Sequence, residues 1–249
     1  MQKQIKKIGL AAGLTELRIE DTLKIALQQA FCEYFNILEC EIDDLDSRLI
    51  RAVFQVPEEI PYTEAKIFQT LVCEDDIITV DFDFDALPVS IQQMTHDLFT
   101  RYIDEIRLDE ASLKWKKLVH RAIEGVIMEK HDDRITIAIG DDNVIGVMLK
   151  PHWTPKEISL YIEGRAFLFY LLKVSRKKHT VEIHLSRNSK NLPCAILFRI
   201  LPYVKNRSIR RIAGHKSWIA ADSPVQMDVI NDLRRELKGE VVEFVIKNI

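Results

Sequence analysis

Five short β-type segments follow one another between Ala122 and Ser186, and they constrain the fold more than any other feature of the chain. They read AIEGVIMEK, DRITIAIGD, NVIGVMLK, RAFLFYLLKV and HTVEIHLS, with the alternation of apolar and polar residues that indicates strands. The turns between the first three are short, whereas PHWTPKEISLYIEG separates the third segment from the fourth. Five strands with one long link in this position predict a five-stranded OB-fold β-barrel, and a generic small barrel or sandwich also fits.

The segment before these strands has the pattern of a separate α+β domain. It contains, in order, a helix over residues 15–36, paired strands ILECEIDD and SRLIRAVFQV, a short helix PEEIPYTEAKIFQTL, a strand DIITVDFDF and a long helix from Ser90 to Ala122. The last helix contains no Gly or Pro. We expect it to link this domain to the barrel, with a break near Leu108 and Asp109.

The segment after the strands predicts a second, smaller α+β domain. It contains a helix LPCAILFRILPYV stopped by Pro202, strands RSIRRIAG and HKSWIAAD, a helix SPVQMDVINDLRRELKG and a closing strand EVVEFVIK. Gly239 directly follows the apolar stripe of the second helix, where a helix usually ends. The fold class is therefore α+β and multidomain.

Charge is divided unequally along the chain. Residues 1–110 carry 10 Lys and Arg against 23 Asp and Glu, and residues 111–249 carry 25 against 15. An acidic front and a basic back suggest two different partners, and a basic half with interleaved aromatic residues favours a nucleic acid. Chance drift of surface charge is the alternative.

Several classes of protein find no support in the sequence. The four cysteines are spread out without a CxxC pair, which indicates reduced thiols in a cytoplasmic protein. His179 and His184 point to opposite faces of a predicted strand, so we expect no metal site. The basic N-terminus has too short an apolar run for a secretory signal, and no apolar run suits a membrane span. The glycine patterns of hydrolases, NTPases and dinucleotide enzymes are absent, so we expect neither catalysis nor a cofactor.

The candidate binding residues are mostly the cations of the basic half. They occur in the long link of the barrel, in the turn KVSRKKH, in SRNSK and in KNRSIRRIAGHK, where they would follow phosphates rather than read bases. The predicted RNA-binding residues are Lys150, Trp153, Lys156, Arg176, Lys177, Lys178, Arg187, Lys190, Arg207, Arg210, Arg211 and Lys216.

Two of these predictions carry a geometric expectation. On a regular strand, Arg207 and Arg211 share a face that does not include Arg210. Trp153 either stacks on a base or covers the mouth of the barrel. The second and third barrel strands offer only aliphatic residues, so base stacking on those strands is not expected.

Several stretches resemble the NusA family of bacterial transcription factors. The opening strand with EGVIM resembles an S1-type OB-fold domain, and LSRNSKNLPCAILFRILP is similar to the junction that leaves that domain. IRRIAGHKSWIAADSP and INDLRRELKGEVVEFV resemble parts of the first KH domain of the family. The order of elements in the acidic front is similar to the polymerase-binding N-terminal domain.

The resemblance implies an arrangement of domains and a function. The chain would consist of a polymerase-binding domain with its connecting helix (1–121), an S1-type OB-fold domain (122–187) and a shortened KH-like domain (188–249). The acidic domain would bind RNA polymerase and the basic half would bind single-stranded nascent RNA. The chain would act in the cytoplasm as a monomer, away from membranes, and modulate pausing, termination or antitermination.

One departure from the family bears on the RNA contact. The family holds a helix–GxxG–helix element inside this KH domain, whereas Asp222, Ser223 and Pro224 lead almost directly into the last helix here. The glycine loop holds the RNA backbone in KH domains, so we expect weak binding through charge. Two alternatives to the transcription role stay open, namely an S1-type RNA-binding module acting in translation or on the ribosome, and a protein–protein adaptor.

Overall fold

A computed structural model describes residues 2–35, 39–45, 49–55, 70–74, 77–83, 86–140 and 144–247. The chain divides into two compact units, residues 1–107 and residues 108–249. The predicted barrel and the predicted C-terminal domain therefore belong to one unit. In the described part of the chain, none of the helices combines the length and the apolar character needed to cross a membrane.

The first unit contains two helices near the N-terminus and the first part of a third, longer helix. They are α1 (Gln2–Ala11), which the sequence patterns did not predict, α2 (Glu16–Phe35) and the start of α3 (Val89–Lys116). A Cβ atom at Gly9 would lie 2.5 Å from Cγ1 of Ile19, so glycine permits the close approach of α1 to α2. The helix α3 is continuous, so the break predicted near Leu108 does not occur.

A four-stranded sheet completes the first unit. It consists of β1 (Cys40–Leu45), β2 (Leu49–Gln55), β3 (Thr70–Glu74) and β4 (Ile77–Asp83), in the antiparallel order β1-β2-β4-β3. Most of the predicted helix PEEIPYTEAKIFQTL lies outside the described residues, and its last two residues instead begin β3. Leu27, Phe31, Ile91 and Phe99 lie at the centre of the hydrophobic core of this unit.

The second unit begins with a closed five-stranded barrel. Its strands are β5 (Ala122–Lys130), β6 (Arg134–Ala138), β7 (Val144–Leu149), β8 (Ala166–Arg176) and β9 (Val181–Ser186). The order around the barrel is β5-β6-β7-β9-β8, and β5 pairs with β8 to close it. All neighbours are antiparallel except β7 and β9. This arrangement confirms the predicted OB-like barrel and excludes an open sandwich for this segment.

Alternating burial fills the barrel with aliphatic and aromatic side chains. Ile127, Ile137, Met148, Phe169 and Ile183 are all almost fully buried in its core. A Cβ at Gly125 would lie 2.4 Å from Cγ2 of Ile137, which explains why the opening strand needs glycine there. Two short 3-10 turns, Lys150–His152 and Pro155–Leu160, occupy the long link between β7 and β8.

The rest of the second unit is a small α+β module, here called the C-terminal module (residues 188–247). It consists of α4 (Leu192–Ile200), β10 (Asn206–Ile212), β11 (Lys216–Ala221), α5 (Met227–Glu236) and β12 (Val241–Ile246). The strand β11 lies in the middle, antiparallel to β10 and parallel to β12. Gly239 adopts φ +88°, and its N–H donates to the carbonyl of Arg234 at 2.9 Å, so it ends α5 as predicted.

The helix α4 packs the C-terminal module against the barrel. Ile196 and Leu197 of α4 share a buried cluster with Tyr170 on the barrel and with Ile219 and Leu233 in the module. The side chains on one face of the three-stranded sheet therefore point into this core, and those on the other face point away from it.

Candidate nucleic-acid interface

The predicted RNA-binding residues occupy three kinds of position. Arg187, Arg211 and Trp153 are buried; Lys150, Lys156, Arg176, Lys177 and Lys178 lie on turns and strand ends of the barrel; Lys190, Arg207, Arg210 and Lys216 belong to the C-terminal module. The burial of the first group does not fit the expectation that its members contact RNA.

Arg187 is a structural residue and not an RNA ligand. Its side chain is fully buried, and its Nε and Nη2 donate to the two carboxylate oxygens of Glu157 at 2.7 and 2.5 Å. Its Nη1 donates to the carbonyl of Leu168 at 2.6 Å, and Nη2 also donates to the carbonyl of Glu236 at 3.0 Å. Glu157 and Leu168 belong to the barrel and Glu236 to α5, so Arg187 fastens one to the other.

Arg211 forms a second buried ion pair, with Glu240. Its Nε and Nη2 donate to Oε1 and Oε2 of Glu240 at 2.9 and 2.8 Å, and neither side chain is more than 1% exposed. Its Nη1 donates to the carbonyls of Arg187 and Ser189 at 2.7 and 2.6 Å. Each of the three guanidinium nitrogens therefore donates to a partner inside the protein, and the buried guanidinium cannot reach a phosphate.

Glu240 is held in its charged form by this network. Burial by itself raises the pKa of Glu240, but hydrogen bonds and charge from Arg211, with hydrogen bonds from the Ser217 hydroxyl and the Gly214 amide, outweigh burial and lower it. The carboxylate thus joins β10, the β10–β11 turn, β11 and the start of β12 at one point.

Trp153 covers the barrel instead of offering its ring to a base. It is 7% exposed, and its Nε1 donates to the carbonyl of Met148 at 3.0 Å. Its ring meets Tyr161 edge-on, with 6.3 Å between the centroids. Of the two roles considered from the sequence, packing at the barrel is the one this geometry allows.

The barrel cations are exposed on two stretches. In the β8–β9 hairpin, Lys177 and Lys178 are exposed, whereas Nε of Arg176 pairs with Oδ1 of Asp109 at 2.5 Å. In the link between β7 and β8, Lys150 and Lys156 are exposed. A Cβ at Gly214 would lie 3.1 Å from Cβ of Lys156, which places Lys156 beside the β10–β11 turn.

On β8 and β9, His184 lies beside Lys173 and near Lys177, both of which belong to the predicted basic turn KVSRKKH. Lys173 is directly opposite His184, and Ser175 Oγ lies 3.3 Å from His184 Nε2. Burial lowers the pKa of His184, Glu182 opposes this, and the charges of Lys173 and Lys177 lower it further. Nε2 of His184 also lies 3.0 Å from Oε1 of Glu182, so an acid stands among these basic groups.

A β-bulge decides which arginines share a face in the C-terminal sheet. The register between β10 and β11 shifts between Ser208 and Arg210, so Arg207 lies opposite Ala220 and Arg210 opposite Trp218. Because residues opposite each other point to the same side, Arg207 and Arg210 share the outer face. The expectation that Arg207 and Arg211 share a face without Arg210 is wrong, because the extra residue at the bulge turns Arg211 inward towards Glu240.

The outer face of the sheet therefore carries an aromatic ring among cations. Trp218 is partly exposed, with the Arg210 guanidinium carbon 5.7 Å and the Lys216 amine 4.9 Å from its ring. Lys216 also pairs with Glu243 on β12 at 2.5 Å. We call this surface, formed by Arg207, Arg210, Lys216 and Trp218, the outer sheet face. One feature of the sequence could have placed Trp218 on this face. It lies between Ser217 and Ile219 on the predicted strand, so it points to the opposite side from both.

A scan against protein-family models and a search of curated proteins both find no match to this chain.

Proposed function

We propose that this chain is an RNA-binding transcription elongation factor that resembles NusA. In this proposal the acidic first unit binds RNA polymerase, and the second unit touches the emerging RNA with its barrel and its KH-like C-terminal module. Bound in this way, the protein modulates pausing, termination or antitermination. The domains would be residues 1–121, 122–187 and 188–249, with the last two acting as one RNA-binding body.

The observation that carries the proposal is the outer sheet face. Single-stranded RNA is bound by surfaces that combine cations for the phosphates with aromatic rings on which bases stack. Trp218 supplies such a ring, and Arg207 and Arg210 supply cations on the same side of the sheet. An OB-like barrel fixed to this sheet adds the exposed Lys156, Lys177 and Lys178 to the same body.

The short connection between β11 and α5 sets the expected strength of binding. Only residues 222–226 separate the two elements, so no helix–GxxG–helix element stands between them. Binding then depends on charge and stacking, and we expect it to be weak and strongly dependent on salt.

The polymerase and RNA roles can be tested in one capture experiment. The tagged full-length protein is recovered from its own cells with and without RNase treatment. Polymerase subunits that remain after RNase support direct binding by the acidic unit. Recovery of ribosomal proteins alone, and their loss on RNase treatment, would instead support the RNA-binding module that acts in translation.

The RNA contact is tested separately by fluorescence anisotropy with a 10-nucleotide single-stranded RNA of mixed sequence. Trp218→Ala should weaken binding about 5-fold or more, because one stacked base is lost. Arg210→Gln should flatten the dependence of log affinity on log salt by about 0.7, because one phosphate contact is lost. The matched control is Arg235→Gln, an exposed arginine on α5 that pairs with Asp232. An equal loss of affinity in the control would contradict the assignment of RNA binding to the outer sheet face. Unchanged affinity in both Trp218→Ala and Arg210→Gln would contradict it as well.

A further inference from the structure

A cleft of about 520 Å³ lies where the barrel meets α4 and β10. Arg121 and Tyr170 line it from the barrel, Asn191 and Phe198 from around α4, and Lys205 and Arg207 from the start of β10. Among the described residues that line this cleft, none is Asp or Glu. The second large cleft of this unit, around Glu124 and Asp232, mixes both signs of charge. Electrostatics therefore favours an anion in the first cleft and not in the second.

The cleft also has an ordered planar surface. The guanidinium carbon of Arg121 lies 4.0 Å from the ring centroid of Phe198, which is 37% exposed. The backbone of Arg121 is fixed, because its carbonyl accepts from the Leu171 amide at 3.0 Å and its amide donates to Leu118 at 3.0 Å. A guanidinium that rests on a ring offers its other side to a base, and arginine planes stack well on bases.

Polar groups complete the wall. The hydroxyl of Tyr170 lies 3.0 Å from Nδ1 of His120, and Nδ2 of Asn191 donates to that hydroxyl at 3.4 Å. Tyr170 is 5% exposed, so its hydroxyl is held in a fixed position in the wall of the cleft. Burial raises the pKa of Cys194, a further residue of the wall, to about 12, so its thiol stays protonated and is no nucleophile.

We infer that this cleft holds one nucleotide of a single-stranded RNA, with its phosphate on Arg207 and Lys205 and its base stacked on Arg121. Arg207 lines the cleft and also belongs to the outer sheet face, because β10 is the edge strand of the sheet. We therefore expect a strand that lies on that face to reach the cleft around this edge. The inference rests on the proposed RNA binding and adds a defined subsite to it.

The experiment separates the contribution of the charge of Arg121 to RNA binding from that of its planar guanidinium. Wild type, Arg121→Gln and Arg121→Lys are titrated with the same 10-nucleotide RNA, and Arg199→Gln serves as the control. Arg199 lies on the same helix as Phe198, but it lines the other cleft and pairs with Glu124 at 3.2 Å. We expect both Arg121 variants to bind about 5-fold more weakly or worse, because lysine keeps the charge but loses the stacking plane. The control should bind like wild type.

Other outcomes have distinct meanings. If wild type binds RNA and both Arg121 variants bind equally well, the subsite is wrong while RNA binding stands. If Arg121→Lys alone binds like wild type, the base does not stack on Arg121 and the inference is again wrong. If wild type binds no RNA, the proposed function fails and the subsite fails with it.

The source of the nucleotide is tested by competition with 5′-UMP. We expect 1 mM 5′-UMP to displace little RNA, because a strand also contacts the outer sheet face. Full displacement of the RNA by 5′-UMP from wild type, without such displacement from Arg121→Lys, would show that the cleft takes a free nucleotide. That result would overturn the assignment of the cleft to an RNA strand. Cross-linking with an RNA that carries 4-thiouridine should label the peptide containing Phe198, and labelling confined to other peptides would contradict the inference.

Discussion

At the scale of single residues, the two buried ion pairs decide how the second unit is built. Arg187 and Glu157 are both almost fully buried, and so are Arg211 and Glu240. Removal of one member of such a pair leaves a charge in a medium that solvates it poorly. The loss of unfolding free energy is therefore much larger than the loss caused by breaking an ion pair at the surface.

We expect Glu157→Gln to lower the free energy of unfolding of the second unit by about 3–5 kcal/mol. The amide keeps the volume of the carboxylate, so the loss reports the uncompensated charge of Arg187. Urea unfolding followed by tryptophan fluorescence measures it. Arg199→Gln breaks the exposed pair with Glu124 and should lower the same quantity by about 1 kcal/mol or less. Similar losses in the two variants would contradict the structural role of Arg187.

The Arg211–Glu240 pair predicts a dependence of stability on acid. The pKa of Glu240 lies below its ordinary value of 4.5 in the folded protein, so the unfolded chain binds its proton more readily. The stabilisation is complete above that ordinary value and is lost as the pH falls through the lowered pKa. Unfolding free energies measured between pH 6 and pH 3 should fall less steeply for Glu240→Gln than for wild type. Equal slopes would show that Glu240 has an ordinary pKa.

Single positions were also where sequence reasoning failed most. Basic residues at the end of a strand or beside a turn look alike in sequence whether they face water or a buried carboxylate. Arg210 and Arg211 are neighbours, yet the bulge turns one towards the outer sheet face and the other towards Glu240. The partners Glu157 and Glu240 lie 30 and 29 positions from their arginines, and no local pattern connects them.

At the scale of secondary-structure elements, the barrel was the easiest part to predict. All five strands were found within three residues of their bounds, because side chains that alternate between the core and the surface give a strand a period of two. β3 was missed because part of its sequence continued an apparent helix. α1 was missed because its apolar residues are few and interrupted by Gly9. The first unit was therefore predicted less well than the second.

The β10–β11 turn provides a test at this scale. Gly214 has φ +76°, and a Cβ there would lie 3.0 Å from Cγ2 of Thr154. Gly164 has φ +78° with open space around it, so it is a matched control. We expect Gly164→Ala to lower the unfolding free energy by about 1–2 kcal/mol through backbone strain alone. Gly214→Ala should lower it by at least about 1 kcal/mol more, because the turn is pushed away from the barrel. Equal effects in a urea titration would contradict this contact.

At the scale of the molecule, the barrel and the C-terminal module should unfold as one body. Arg187 and Arg211 join them through hydrogen bonds, and α4 packs against both. The division of the chain into units agrees, because it places the boundary at residues 107 and 108 and not between barrel and module.

The three tryptophans make this testable, since all of them lie in the second unit. Trp115 and Trp153 belong to the barrel core, and Trp218 lies on the outer sheet face. Trp218→Phe leaves reporters in the barrel alone, and the double variant Trp115→Phe, Trp153→Phe leaves one in the sheet alone. For each variant, the urea midpoint from tryptophan fluorescence is compared with the midpoint that the same variant shows by circular dichroism. The two midpoints should coincide. A sheet reporter that melts at a lower urea concentration than the dichroism would show independent unfolding.

The buried pairs also have a consequence for how this sequence can change over generations. A substitution at Glu157 alone strands the charge of Arg187, and a substitution at Glu240 alone strands that of Arg211, so lineages that lose one member should soon lose or replace the other. Positions 157 and 187 should therefore covary among descendants of a common ancestor, as should 211 and 240. Arg187, Arg211 and Glu240 all belong to the joint between the barrel and the C-terminal module. Their persistence would reflect selection for this joint, whatever the barrel and the module bind.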